Sequence, residues 1–295
     1  MSLTDDQLRK LEITERCASV LSVLSIATIL GTYRFSHHFR NPIHRLIFIN
    51  TFYNVFDVTA TFISVSGPKA GNSSALCQFQ GFLLQMFPLA DVLWTLAMAL
   101  DVLLIVFYRH DAETLRKLEI KYIGIITTVV FIPALTFLFI HTPEKGHMYG
   151  SQKIWCSISP NWLIFRIIFY YGPIWVIIVI TTVLYCVVGV KLFKNRDMFN
   201  AIANDSVSIH RQSHSFRQYI LMPLMIFAAE LAVWVAPTTN RIVSFIDPSY
   251  ESYPLLMAVA LTGSLRGFWN GVFFVAIGMK SRSRQKELDE TILLA

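Results

Sequence analysis

Apolar and polar positions in this chain do not alternate; they separate into long blocks. Seven apolar blocks, at roughly 13–35, 43–66, 77–108, 119–141, 161–193, 217–241 and 253–279, are divided by short polar connections. Each is long enough for an α-helix to cross a bilayer core, which takes about 20 residues. Residues 122–140 and 167–190 contain no charged side chain. Hydrocarbon offers the backbone no hydrogen-bond partner, so only helices or closed barrels span it, and these blocks are too long and too uniformly apolar for barrel strands. The pattern predicts an all-α fold, a seven-transmembrane helical bundle.

Composition agrees with this reading. Of 295 residues, 54% are hydrophobic and 15% charged, where a soluble chain carries about 25% charged residues. Seven spans use most of the length, so residues 13–279 form one membrane domain with no room for a second folded unit. A net charge of +6 suggests nucleic acid in a soluble protein, but here the basic residues follow membrane topology, and no aromatic-basic surface for nucleic acid is present. Sixteen Lys and Arg between the spans fall on one side, among them Arg34, Arg45, Arg109, Lys121, Lys191, Lys194 and Arg196; seven fall on the other. The richer side is predicted to be cytoplasmic, which puts the N-terminus (residues 1–12) outside. The C-terminal tail (280–295) lies in the cytoplasm, where it is able to form an amphipathic helix along the membrane. Met1 to Arg16 is too polar for a cleavable signal, so the first span is expected to serve as an uncleaved anchor.

Cys77 opens the third span and Cys156 precedes the fifth, both on the outer face. An oxidising compartment lets such a pair close into a disulfide, the alternative being two free loop cysteines. Asn72-Ser73-Ser74 is an outward glycosylation sequon. Ionisable residues inside spans are costly and point to function. Asp57, Asp91, Glu230 and Arg266 each lie about thirteen or fourteen residues from an end of their span, roughly 20 Å at 1.5 Å per residue. They are expected to meet near the midplane, Arg266 pairing with Asp57 or Asp91, as a switch, as fixed packing or as an ion path. Asp101 lies lower in the third span and is placed to tether cytoplasmic helix ends. Trp234 stands one turn before Pro237, an arrangement for a pivot or a static bend.

The motifs Leu93-Trp94-Thr95, Ala99-Leu100-Asp101, Trp155-Cys156-Ser157-Ile158, Trp234 through Pro237, Thr239-Asn240-Arg241-Ile242 and Leu265-Arg266-Gly267-Phe268-Trp269-Asn270 occur in order on the expected spans. Together with the cysteine pair they resemble the cAMP-receptor-like (class E) G-protein-coupled receptors of slime moulds and fungi. The resemblance covers most of the seven-span core. It implies a plasma-membrane receptor for an extracellular small molecule and a cytoplasmic face that promotes nucleotide exchange on a heterotrimeric G protein. Trp162, Arg166, Tyr170, Asn240 and Arg241 are candidates for the pocket, an arginine there being suited to a phosphate or carboxylate. Tyr108, Arg109, Lys191, Lys194 and Arg196 are candidates for G-protein coupling. The resemblance does not by itself make cAMP the ligand.

Other functions fit less well. A retinal Schiff base needs a lysine deep in a span, and none is present. A small-solute or proton-coupled transporter, using the midplane carboxylates, is the alternative, although no internal repeat supports it. The histidines are scattered through loops, so no metal-ligand or catalytic set is expected, and neither is a cofactor or an enzymatic activity.

Overall fold

The computed structural model describes residues 3–36, 39, 42–110, 112–194, 207–246, 252–276, 278 and 279. Arg196, the Asn204 region and the tail at 280–295 lie outside them. Among the described residues, six helices are long and apolar enough to cross a membrane: Asp5–Phe35, Ile43–Ile63, Ala75–Tyr108, Glu113–Phe139, Pro160–Lys194 and Met222–Ser244. The first begins eight residues before its apolar block because Thr4 caps it. The Thr4 hydroxyl accepts from the Gln7 N–H at 3.3 Å, and the Gln7 side chain accepts from the Thr4 N–H at 3.0 Å. That reciprocal pair satisfies two of the donors a helix start leaves free.

The seventh block is helical in two pieces. Tyr253–Ser264 ends at Leu265, and helix resumes over 266–276. The cause is Ser22 of the first span. Its hydroxyl donates to the Ser264 carbonyl at 2.6 Å and accepts from the Phe268 N–H at 3.1 Å. Those two backbone groups are four residues apart and are partners in an unbroken helix; the serine sits between them, one of the recognised causes of a kink. Small residues permit the approach. A Cβ on Gly271 would lie 2.7 Å from the Ser25 Cβ, and one on Gly267 would lie 3.3 Å from the Ser22 Cβ. Close helix contact through small residues is how spans associate where lipid removes the hydrophobic drive.

The third span, Ala75–Tyr108, is the central post, packed against the second, fourth, fifth and sixth. The fifth span starts as a Pro160–Trp162 turn, passes through a π-helical turn at Ile167–Tyr171 and continues as Gly172–Lys194. Pro173 has no N–H to offer the carbonyl four residues earlier, and that carbonyl, of Phe169, accepts instead from the Gln85 side chain at 2.8 Å.

Two short hairpins cover the end of the bundle predicted to face outward. Strand β1 (His141–Thr142) pairs antiparallel with β2 (Gly146–His147), and β3 (Tyr149–Ser151) with β4 (Cys156–Ile158). The expected disulfide joins Cys77 to Cys156, Cα atoms 5.3 Å apart. Gln80, one turn along, reinforces it. The Gln80 side chain accepts from the Cys156 N–H at 2.9 Å and donates to the Ala60 and Ser64 carbonyls, each at 3.0 Å. One fully buried amide thus ties the second span, the third span and β4.

Replacing Ser22 by Ala leaves the Ser264 carbonyl and Phe268 N–H without their bridge. A loss of about 1–3 kcal/mol is expected, the cost of an unmade buried hydrogen bond. Gly271→Leu, which drives a side chain into the first span, is expected to cost more. Thermal unfolding of the detergent-solubilised protein measures both, and an unchanged Tm for Ser22→Ala refutes the bridging role.

Candidate ligand and signalling site

Arg266 follows directly on the break in the seventh span, where it faces the bundle interior. Its Nη1 donates to Asp57 Oδ2 at 2.8 Å, and its Nε lies 3.8 Å from Asp91 Oδ2. Its guanidinium carbon sits 5.4 Å from the centre of the Trp234 ring. Asp91 Oδ1 accepts from the Asn50 amide at 2.5 Å, and Glu230 Oε1 accepts from the Trp234 indole N–H at 2.5 Å. The Glu230 carboxyl adjoins that of Asp91. None of the four ionisable residues is more than 6% exposed. Four spans therefore converge on one guanidinium, and the four charges expected at one depth are in contact. Removing a charge from water costs several kcal/mol after relaxation, so such a group persists only when paired. The pairing is incomplete. Asp57 Oδ1, Asp91 Oδ2, Asn50 Oδ1 and Asn54 Oδ1 are buried without a hydrogen-bond partner.

Above this layer is a pocket. Asp57, Trp234 and Arg266 form its floor; Arg166, Tyr170 and Tyr171 of the fifth span and Pro237, Asn240 and Arg241 of the sixth line its walls. Gln85 and Pro88 contribute from the third span, and Trp155, Ser157 and Ile158 cover it from the outer loop. Four of the five candidate pocket residues come together here. Trp162 does not line it. It lies in the Pro160–Trp162 turn rather than on the helix that carries Arg166, and it packs with Phe137, Met148, Tyr149 and Ile158. Lys145 Nζ sits 5.1 Å from the centre of its ring.

The two pocket arginines differ from Arg266 in their partners. Arg166 is 4% exposed and donates through Nη2 to the Ile158 carbonyl. Arg241 stacks its guanidinium 5.0 Å from the Tyr171 ring centre. The Nε of each is buried and unpartnered, and the two charges repel each other. Neither makes an ion pair among the described residues. The π-helical turn between Arg166 and Gly172 brings Arg166, Tyr170 and Tyr171 to the pocket together; such turns often occur at functional sites.

Several partners were not read from the sequence. Glu15, fully buried in the first span, accepts from the Ser64 hydroxyl and from the Trp155 indole, so it holds the pocket cover. Glu15, Ser19 and Ser22 recur at helical spacing within an apolar block, a polar stripe that marks an interhelical face. Ser19 meets Thr61 at 2.9 Å. Gln80 and Gln85, uncharged and isolated in the third span, carry no comparable signal.

Toward the predicted cytoplasmic end, Asp101 accepts from the Tyr122 hydroxyl at 3.0 Å, and Arg45 pairs with Glu119 at 2.5 Å. Asp101 thus tethers the third span to the fourth, roughly 15 Å below Asp91 along the helix. Arg109 ends the third span in the left-handed conformation, φ 53°, beside the exposed Tyr108. Lys191 lies over Phe107 at 5.6 Å, and Lys194 closes the fifth span. Asn72 is exposed in the turn before the third span, its side-chain carbonyl accepting from the Ser151 N–H at 2.8 Å. Among the described residues, no three His, Cys, Asp or Glu are grouped to hold a metal.

Comparison with known proteins bears on this geometry. Residues 6–279 match the family described as slime mold cyclic AMP receptor. "Cyclic AMP receptor 4" of Dictyostelium discoideum is 28% identical over 88% of this chain and 55% of its own length. "Cyclic AMP receptor-like protein A" of the same organism is 26% identical over 70% of this chain and 49% of its own. The chain thus spans about half the length of these two relatives. "G-protein coupled receptor 1" of Arabidopsis thaliana is 23% identical over 91% of this chain and 77% of its own. Squid rhodopsin superposes with a TM-score of 0.72 at 12% identity, covering 99% of this chain and 88% of that one, which establishes the seven-transmembrane helical fold.

Arg266→Ala leaves three adjacent carboxyls without their cation. The expected loss is about 3–5 kcal/mol, as for breaking a buried ion pair. Adding Asp57→Asn to Arg266→Ala is expected to recover part of it. A thermal-unfolding cycle over the four proteins checks this, and strict additivity refutes the pairing.

Proposed function

The chain belongs to the slime mold cyclic AMP receptor family, and from that premise we propose that it is a G-protein-coupled receptor of the plasma membrane for an anionic small molecule. The observation that carries the reading is the pair Arg166 and Arg241, one buried and one half-buried, which line the same pocket and make no ion pair among the described residues. An anion between them satisfies both, through short charge-assisted hydrogen bonds. Tyr170, Tyr171 and Pro88 offer apolar surface to the body of the ligand. Two relatives are named for cyclic AMP, so a cyclic nucleotide is the first ligand to try.

Signal transfer begins at Trp234, which lines the pocket and also donates to Glu230 beneath it. A ligand that draws Arg241 toward Arg166 pulls the outer half of the sixth span at Pro237, where the helix lacks a backbone hydrogen bond. The Trp234–Glu230 bond, and with it the Asp91 and Arg266 contacts, then has two arrangements to choose between. A ligand shifts that choice by its difference in affinity for the two. At the cytoplasmic end, Tyr108, Arg109, Lys191, Lys194 and Arg196 are assigned to the face that receives a helix of a heterotrimeric G protein, in a groove between the third, fifth and sixth spans. Asn72 is assigned a glycan on the outer face. No observation favours the transporter alternative.

Nucleotide exchange is measured on a panel of Gα subunits, with membranes containing the protein, with and without cyclic AMP and other small phosphates and carboxylates. Ligand-dependent exchange is expected. Arg166→Ala and Arg241→Ala are each expected to raise the half-maximal ligand concentration by about tenfold or more, the loss of one charge-assisted bond. Neutralising Arg109, Lys191 and Lys194 together is expected to reduce exchange and leave ligand binding intact. Folded protein that drives no exchange with any Gα refutes the receptor reading; exchange indifferent to Arg166 and Arg241 refutes the anion site.

A further inference from the structure

The loop between the fourth and fifth spans holds a second group of chemistry-bearing side chains, outside the pocket. His141 in β1 and His147 in β2 are register partners across the antiparallel hairpin. Their ring centres are 4.9 Å apart with the planes inclined at 43°. The Met148 N–H donates to the Ile140 carbonyl at 3.0 Å, just outside the pair. That bond marks a position where facing residues exchange no backbone bonds of their own, the pairing in which side chains come closest. His141 is exposed and His147 half-buried, so the pair is open to solvent.

We infer that His141 and His147 form a binding site for a divalent transition-metal ion, zinc or copper, on the outer hairpin. Imidazole is the preferred nitrogen donor for these ions. Tetrahedral coordination with metal–nitrogen bonds of about 2.0–2.1 Å puts two ligating nitrogens about 3.3 Å apart. Rings with centres 4.9 Å apart reach that spacing by turning about their side-chain bonds. Because among the described residues no third His, Cys, Asp or Glu joins the group, water completes the coordination, and the ion is held reversibly rather than as a structural centre.

The hairpin is built to keep the pair together. Thr142 Oγ1 accepts from the Lys145 N–H at 3.1 Å across the turn, and Gly146 takes φ 72°, a left-handed conformation that glycine adopts without strain. At its base Met148 and Tyr149 are fully buried, and the Tyr149 hydroxyl donates to the Ala134 carbonyl of the fourth span at 2.9 Å. Less ordering is then left for metal binding to impose, which favours affinity. A bound ion cross-links β1, which follows the fourth span, to β2, which leads into β3; the partner of β3, β4, carries Cys156 and part of the pocket cover. The two histidines are six apart in sequence, and only the hairpin register brings them face to face.

The test is zinc titration into the purified full chain by calorimetry, with copper in its place for electron paramagnetic resonance. Wild type is compared with His141→Ala and His147→Ala. A saturable site is expected, weakened at least tenfold in either variant, with coupling to two imidazole nitrogens falling to one. Affinity unchanged in both variants, or no saturable site in the wild type, overturns the assignment. The copper spectrum of the wild type stands without any variant, and coupling to fewer than two imidazoles there also overturns it.

Discussion

A guanidinium near the middle of a membrane must have its counter-ions supplied by the protein, because neither water nor lipid provides them. Arg266 meets this constraint with Asp57 at 2.8 Å and Asp91 at 3.8 Å. Asn50 and Trp234 in turn hold Asp91 and Glu230. The second, third, sixth and seventh spans are thus fixed at one level by groups that have no better place to go. The break in the seventh span belongs to the same arrangement. Ser22 interrupts the ladder between Ser264 and Phe268, directly where Arg266 leaves the backbone.

Charge is layered along the bundle axis. One level of the bundle holds three carboxyls and one guanidinium, while Arg166 and Arg241 in the pocket above it make no ion pair among the described residues. The two layers are separated by Trp234, which lines the pocket and touches Arg266 and Glu230. This is what gives the site its chemical character. Cations that found acids among their neighbours would be spent on structure; these two are the ones assigned to the proposed anionic ligand. Arg241 does gain from the face of Tyr171, an interaction that steadies a cation without neutralising it.

The cover of the pocket is held from three sides. The Cys77–Cys156 bridge and Gln80 tie β4 to the second and third spans. Glu15 reaches the Trp155 indole from the first span. Gln80 and Glu15 are polar groups buried beneath the outer end, where an unmade hydrogen bond is expensive. The sixth span, by contrast, carries Pro237 inside its helix, where one backbone hydrogen bond is missing.

What the sequence determined by itself was the set of spans, their order and the common level of four ionisable residues. These follow from short-range rules: a helix needs a certain apolar length, and 1.5 Å per residue converts position to depth. Asp57, Asp91, Glu230 and Arg266 could therefore be assigned to one layer from counting alone. Which of them touch, and that Ser22 splits the seventh helix to make room, was decided by tertiary packing, since a hydroxyl from the first span and a carbonyl from the seventh are 242 residues apart. Trp162 shows the same limit from the other side. Its aromatic character and position suited a pocket, but a turn at Pro160–Trp162 carried it into a different cluster. Direction about a helix axis changes by about 100° with each residue, so small local changes in winding, invisible in composition and spacing, decide which side chains meet.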